Sequence, residues 1–233
     1  SCSADLEVSL PEGEPSASTV EPTPRGSAPP PAPPTPTPRP EGLANLPEDL
    51  LLQPGPRIAV ETADGQIFTM LGDGSNVVPL TNPDEPAINS LPTWSRDASR
   101  LAWTTNKSDD TFSVRSARFD GSGWFEQDLA QLPFGLSWDP TGSQLAAVAG
   151  VEDASEVELG VISLADGGYT RVDTGSPFWY SWSPDADGFL VHASGLRLDF
   201  VPIDGPTQVL EKFPGSFQAP RWLDGPVQLI YAD

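Results

Sequence analysis

The chain has 233 residues, with 33 acidic against 12 basic side chains and a formal net charge of −21. A field of that sign repels phosphate backbones and anionic headgroups, which all but excludes nucleic-acid binding and disfavours adsorption to acidic lipid. One cysteine (Cys2) rules out an intrachain disulfide or a cysteine-ligated zinc, one histidine (His192) without a G-x-S-x-G gives no hydrolase triad, and no apolar run reaches 18 residues, so no membrane-spanning helix is expected.

Residues 1–56 hold 15 of the 28 prolines and none of the 20 aromatics. From Pro11 to Pro40, twelve of thirty residues are proline, interleaved with Thr, Ala, Ser and Glu. Proline lacks the backbone donor, and no large apolar side chain offers anything to bury. Residues 1–56 are therefore expected to be a disordered, polyproline-biased tether, reaching on the order of 90 Å for thirty residues at ~3.1 Å each. Cys2 followed by such a spacer resembles the lipid-modified cysteine of a bacterial lipoprotein, with Ser1 standing where the last residue before the cleavage site would be. That resemblance implies lipidation at Cys2, an extracytoplasmic location in the cell envelope, and membrane contact only through the anchor.

The body, residues 57–233, is a repeat. Trp94, Trp138, Trp182 and Trp222 are spaced by 44, 44 and 40 residues. A second series keeps step with it: Asp73-Gly74, Asp120-Gly121, Asp166-Gly167 and Asp204-Gly205. Apolar runs of strand length follow each tryptophan, over Leu101–Thr105, Leu145–Ala149, Phe189–Ala193 and Val227–Tyr231. Phe112–Phe119, Val157–Leu164 and Leu196–Ile203 lead into the Asp-Gly turns, where glycine tolerates positive φ. No stretch has a 3.6-residue apolar period. Four strands per ~44 residues, with two tight turns and a recurring tryptophan, predict an all-β chain of β-propeller blades.

The motif Trp182-Ser183-Pro184-Asp185, with partial matches at Trp138-Asp139-Pro140-Thr141-Gly142 and Trp94-Ser95-Arg96-Asp97, resembles the TolB-like, or WD40-like, β-propeller repeat. The resemblance implies about four blades and a partial one. Blade one uses Arg57–Val60, Gln66–Leu71 and Val77–Leu80, with Leu50–Leu52 as a candidate first strand. Blade two runs Leu91–Leu129, blade three Phe134–Asp173, and blade four Phe178–Leu210. Blade five begins at Phe217. Such a propeller usually closes with about six blades, and 233 − 56 leaves 177 residues, so the sequence is expected to be part of a longer product, or to close a small ring by sharing strands.

The resemblance is specific for fold and nearly silent on function. Loops of variable length on a rigid repeat are where recognition is usually placed. Here they are Thr62–Gly65, Thr105–Thr111, Gly150–Glu156 and Ser194–Gly195. The longer ones are acidic, giving Asp109, Asp110, Glu152, Asp153 and Glu156 as candidate partner-binding residues. Asp84 and Glu85, on the connection between blades one and two, join them. A basic protein partner or a cation would fit that rim, and so would plain solvation in a chain acidic throughout. Asp185-Ala186-Asp187-Gly188 resembles the opening of a calcium loop, but its downstream ligands are missing, so its aspartates read as turn formers. His192, between Val191 and Ala193, reads as a packed side chain. No catalytic residue, metal site or cofactor is expected. The expected function is a non-catalytic envelope lipoprotein that binds a protein partner or scaffolds an assembly. The alternatives are the propeller portion of a larger envelope enzyme, such as a serine peptidase, and a surface subunit that self-associates through open blade edges.

Overall fold

The computed structural model describes residues 40–46, 52–53, 55–109, 111–151, 155–176, 178–215, 220–222 and 229–230. Seventeen strands and no helix occur among them. Sheet one holds β1 (Arg57–Glu61), β2 (Ile67–Leu71) and β3 (Val78–Pro79). Sheet two holds β4 (Ala87–Trp94), β5 (Leu101–Lys107), β6 (Phe112–Ala117) and β7 (Phe125–Leu129). Sheet three holds β8 (Pro133–Trp138), β9 (Gln144–Gly150), β10 (Val157–Ser163) and β11 (Tyr169–Gly175). Sheet four holds β12 (Phe178–Trp182), β13 (Gly188–Ala193), β14 (Arg197–Pro202) and β15 (Gln208–Lys212). β16 (Arg221–Trp222) and β17 (Leu229–Ile230) form a fifth pair. In every sheet the strands pair antiparallel in chain order, so each is a meander.

The turns explain why the sequence breaks where it does. The residue after each tryptophan caps the first hairpin. Ser95 Oγ accepts from the Arg100 amide at 3.0 Å, and Ser183 Oγ accepts from the Asp187 and Gly188 amides at 3.1 Å. In sheet three Asp139 takes that place. Fully buried, it accepts from the amides of Thr141, Ser143 and Gln144 at 3.1, 2.8 and 2.8 Å, so its oxygens are met by fixed donors. Four positions after the tryptophan the chain turns left-handed: φ is 55° at Ala98, 74° at Gly142 and 62° at Ala186. The Asp-Gly turns use the same device, with φ of 84° at Gly74, 76° at Gly121 and 73° at Gly167.

Each apolar cluster lies between consecutive sheets. Ile67, Val78 and Leu80 of sheet one meet Leu101, Trp103 and Ala117 of sheet two. The opposite face of sheet two, through Ala102 and Val114, meets Trp138, Leu145, Ala147 and Ile162 of sheet three. Ala146, Val148, Leu159 and Val161, on the other face of sheet three, meet Phe189, Val191, Ala193 and Val201 of sheet four. Alternate residues of one strand thus serve two different cores. That is why β5 and β9 read as continuous apolar runs rather than as an alternating pattern. At ~1.5–3 kcal/mol for each buried Leu, Val or Phe, these faces supply the main cohesion between sheets.

The indole N–H groups lock the stack. Trp138 Nε1 donates to the Thr93 carbonyl at 3.0 Å, and Trp182 Nε1 to the Ser137 carbonyl at 3.4 Å. In both cases the acceptor is the residue just before the preceding sheet's tryptophan. Successive four-stranded meanders, packed face to face and tied by a repeated tryptophan, make a propeller-like all-β arrangement.

The observed strands correspond to the repeat boundaries in sheets two, three and four, with sheet two beginning earlier, at Ala87. Leu52 lies outside any strand, and Leu50 and Leu51 fall outside the described residues, so sheet one has three strands among those described. Residues 40–46, grouped by composition with the tail, are packed. Leu43 and Ala44 are buried, and Leu43 bridges Thr81 and joins the core between sheets one and two.

Candidate protein-contact surface

The two indole bonds tie the first strands of consecutive sheets, β8 to β4 and β12 to β8. Ile88 and Asn89 lie near the start of β4, Phe134 near the start of β8 and Trp179 near the start of β12. Ile88, next to Asn89, is 62% exposed, and Phe134 is 58% exposed. Trp179 is half-buried and stacks on His192, ring centroids 5.5 Å apart. Sheets two, three and four thus each carry a large apolar side chain near the start of the first strand, a row in chain order of Ile88, Phe134 and Trp179.

Two irregularities re-aim this row. The pairing of β4 with β5 shifts between Ser90 and Thr93, and that of β8 with β9 shifts between Pro133 and Gly135. A bulge adds one residue on one strand and turns a side chain that regular alternation would have placed otherwise. Within the first bulge, Leu91 is 39% exposed with φ of 57°. Left-handed backbone is costly for a branched side chain, at about 1–3 kcal/mol. The Leu91 amide donates to Glu61 Oε2 at 3.0 Å, which holds the conformation in place. Strain kept at an exposed apolar residue points to a use for that surface.

The acidic rim adjoins the row. The Ser108 amide donates to the Pro86 carbonyl at 3.0 Å, joining the end of β5 to the 82–86 connection. Gly65 O accepts from both the amide and Nδ2 of Asn89 at 3.0 Å, which brings the 62–65 turn to the same end of β4. Asp84 and Asp109 are exposed there, four residues from Ile88 and two from Lys107 respectively. The Thr111 hydroxyl, and then the Thr111 amide, hold the Asp109 carboxyl below the usual carboxylate range, so it is anionic at neutral pH. Glu156 is also exposed, on the β9–β10 turn.

Glu85 has an internal partner. Arg115, its side chain only 2% exposed, forms a two-pronged pair with Glu85 at 2.6 and 2.5 Å. Its Nε donates to Glu126 at 3.0 Å, and its guanidinium lies over the Trp124 ring at 5.5 Å. Lys107 completes the network with Glu126 at 2.9 Å and Asp128 at 3.1 Å. Gly42 caps it: a methyl there would stand 2.8 Å from Arg115 Cζ. Glu85 thus ties the connection between sheets one and two to the interior.

Asp110, Glu152, Asp153 and Cys2 lie outside the described residues. His192 is fully buried, with Nε2 3.1 Å from the Gly215 carbonyl. Asp187 accepts the Ser183 hydroxyl at 2.7 Å, in keeping with a turn-forming role. Among the described residues no group of three or more His, Cys, Asp or Glu is placed to hold a metal. The sequence reading stopped at the loops and did not find the apolar row. The positions before each tryptophan carry no aligned signal for it, since Ile88 lies six residues before Trp94, Phe134 four before Trp138 and Trp179 three before Trp182.

No family model and no curated protein matches the chain. Solved structures similar to it include TolB from Acinetobacter baumannii, 18% identical with a TM-score of 0.49, over 70% of this chain and 43% of that one. An oligogalacturonate lyase in complex with manganese is 16% identical with a TM-score of 0.48, over 64% of this chain and 41% of that one. Pyrococcus horikoshii acylaminoacyl peptidase is 14% identical with a TM-score of 0.46, over 67% and 30%. The chain spans less than half the length of each of these three structures.

Proposed function

We propose that the chain is a non-catalytic, propeller-like module that binds a protein partner in the cell envelope. The observation that carries this reading is the exposure of Ile88 and Phe134 on the first strands of sheets two and three, with the half-buried Trp179 on that of sheet four and the exposed Asp84 and Asp109 close to the start of β4 and the end of β5. Exposed apolar side chains such as Ile88 and Phe134 suit a partner segment with apolar side chains. The flanking carboxylates suit one that also carries lysine or arginine, and steer its approach. Sequence features support the setting: Cys2 followed by a proline-rich spacer fits a lipid anchor with a tether, which would hold the module near a membrane it does not cross.

The test uses the double variant Ile88→Ser, Phe134→Ser. Both side chains are largely exposed, so thermal stability should stay within about 0.5 kcal/mol per site. Envelope partners that co-purify with the wild-type protein should be lost. Retention of the same partners at the same yield would refute the reading. Intact-mass measurement of protein from its native envelope should show acyl chains on Cys2, and a free thiol there would remove the anchor from the proposal.

A further inference from the structure

Beyond that reading, on a different part of the molecule, a cavity of about 460 Å³ opens between the outer face of sheet four and Trp222. Its floor is apolar, made by Leu190 and Leu198, both fully buried, with Phe200 and Leu210. Leu190 pairs across β13 and β14 with Phe200, so the two project onto the same face, opposite the one that meets sheet three. Trp222 leans edge-on against Phe200, ring centroids 6.2 Å apart and planes at 89°. The mouth is acidic, with Asp185, Asp187 and Glu211 lining it and no basic side chain among the lining residues.

Two features say what would fit. The first is charge: three carboxylates around an apolar floor of ligand-pocket size favour a group that is cationic at one end and apolar at the other. The Ser183 hydroxyl keeps the Asp185 carboxyl below the usual range, so the mouth stays charged at neutral pH. The second is a hydrogen-bond donor. Trp138 and Trp182 give their indole N–H to a main-chain carbonyl of the neighbouring sheet. Among the described residues the equivalent N–H of Trp222 is buried and has no acceptor. A buried donor left unpaired costs about 1–3 kcal/mol, so a carbonyl brought to it is well rewarded.

We infer that this cavity binds an extended peptide segment in which a large aliphatic residue sits beside a lysine or arginine. The aliphatic side chain fills the floor, the basic one meets Glu211 and Asp185, and a main-chain carbonyl accepts from Trp222 Nε1. An organic amine would satisfy the charge and the floor but offers no amide carbonyl to the indole.

The experiment uses the full chain, with two-dimensional ¹H–¹⁵N spectra that resolve the seven indole N–H signals. Trp222→Phe identifies the Trp222 signal by its loss. The probe is the capped peptide acetyl-Lys-Leu-Val-Leu-Lys-amide. It should shift the Trp222 signal more than the other six, with saturation. The charge-reversed peptide acetyl-Glu-Leu-Val-Leu-Glu-amide should bind at least about tenfold more weakly, since removing or reversing close charge pairs costs of order 1.4 kcal/mol or more. The variant Asp185→Asn, Glu211→Gln, which changes exposed side chains only, should weaken the basic peptide about fivefold and leave the spectrum of the free protein otherwise intact. Hexylamine should perturb Leu198 and Leu210 methyl signals without moving the Trp222 indole. Equal binding of both peptides, no shift at Trp222, or a Trp222 signal already hydrogen-bonded and slow to exchange in the free protein would each overturn the inference. The last result would mean that the chain itself fills the site.

Discussion

At the scale of single residues, the most consequential side chain is Arg115. A guanidinium that is 2% exposed is tolerable only because two carboxylates, an indole face and the Gly42 backbone surround it. Removing one member of such a network leaves a buried charge unbalanced, which is why breaking it costs more than the pair is worth. Glu126 reports on it. Burial alone would raise its carboxyl, but hydrogen bonds and charge from Lys107 and Arg115 outweigh that and hold it below the ordinary glutamate value. A depressed folded-state value adds stability above the unfolded-state pKa of about 4.3, and the stability is lost as pH falls through the folded value. Glu126→Gln should therefore lower stability at pH 7 by about 1–2 kcal/mol, the lower end for a charged hydrogen bond because the side chain is 27% exposed. It should also flatten the loss of stability below pH ~4 in urea titrations. Parallel pH profiles for the variant and the wild type would show that Glu126 carries no linkage. At Ala186, φ of 62° costs the methyl about 1 kcal/mol that glycine escapes. Ala186→Gly should be neutral to stabilising by about 0.5 kcal/mol after its own entropy cost, measured by thermal melting.

At the scale of elements, the recurring unit is a hairpin whose tryptophan packs backward onto the sheet before it. Trp138 separates the two parts of that role. Trp138→Ala removes a buried side chain and should cost about 3–5 kcal/mol. Trp138→Phe keeps most of the ring and drops only the bond to Thr93, for about 1 kcal/mol. Equal costs by chemical denaturation would contradict the role of the indole bond. The segment at 40–46 is a second element-scale device, with Gly42 against Arg115 and Leu43 in the core. Gly42→Val cannot be seated without moving that segment or the guanidinium. It should speed protease cleavage near residue 46, while the distant change Gly205→Val, which meets only Pro202 at 3.6 Å and is strained by its own backbone, should not.

These elements also show what the sequence could reveal. Trp94, Trp138 and Trp182 and their Asp-Gly partners located sheets two to four, because turn chemistry and strand length are local properties. The bulges at Leu91 and Phe134 were not readable, since an inserted residue looks like any other until its cross-strand partner is known. The exposure of Phe134, which sits in the second bulge, was missed with it. Leu43 and Ala44 were hidden by their proline-rich neighbours, and Leu43 is buried by Ile67, Val78, Leu80, Leu101 and Trp103, residues distant in the sequence. Glu85 read as a rim carboxylate because its partner Arg115 lies thirty residues away.

At the scale of the whole molecule, sheets stacked in chain order make contacts mainly between sequence neighbours, with cohesion shared across three apolar interfaces. The proposed surface draws on the first strands of successive sheets, through Ile88, Phe134 and Trp179. A net charge of −21 adds a long-range field around it. Association with a basic partner should therefore slow as salt rises from 0.05 to 0.5 M, because the screening length falls from roughly 14 Å to about 4 Å. The most direct test of the central claim is site-specific photo-crosslinking in the native envelope, with the crosslinking residue at position 134 and, as a control, at exposed Val209 on the outer strand of sheet four. The account predicts a discrete protein adduct from position 134 that is absent from position 209. The same adducts from both positions, or none from position 134, would contradict it.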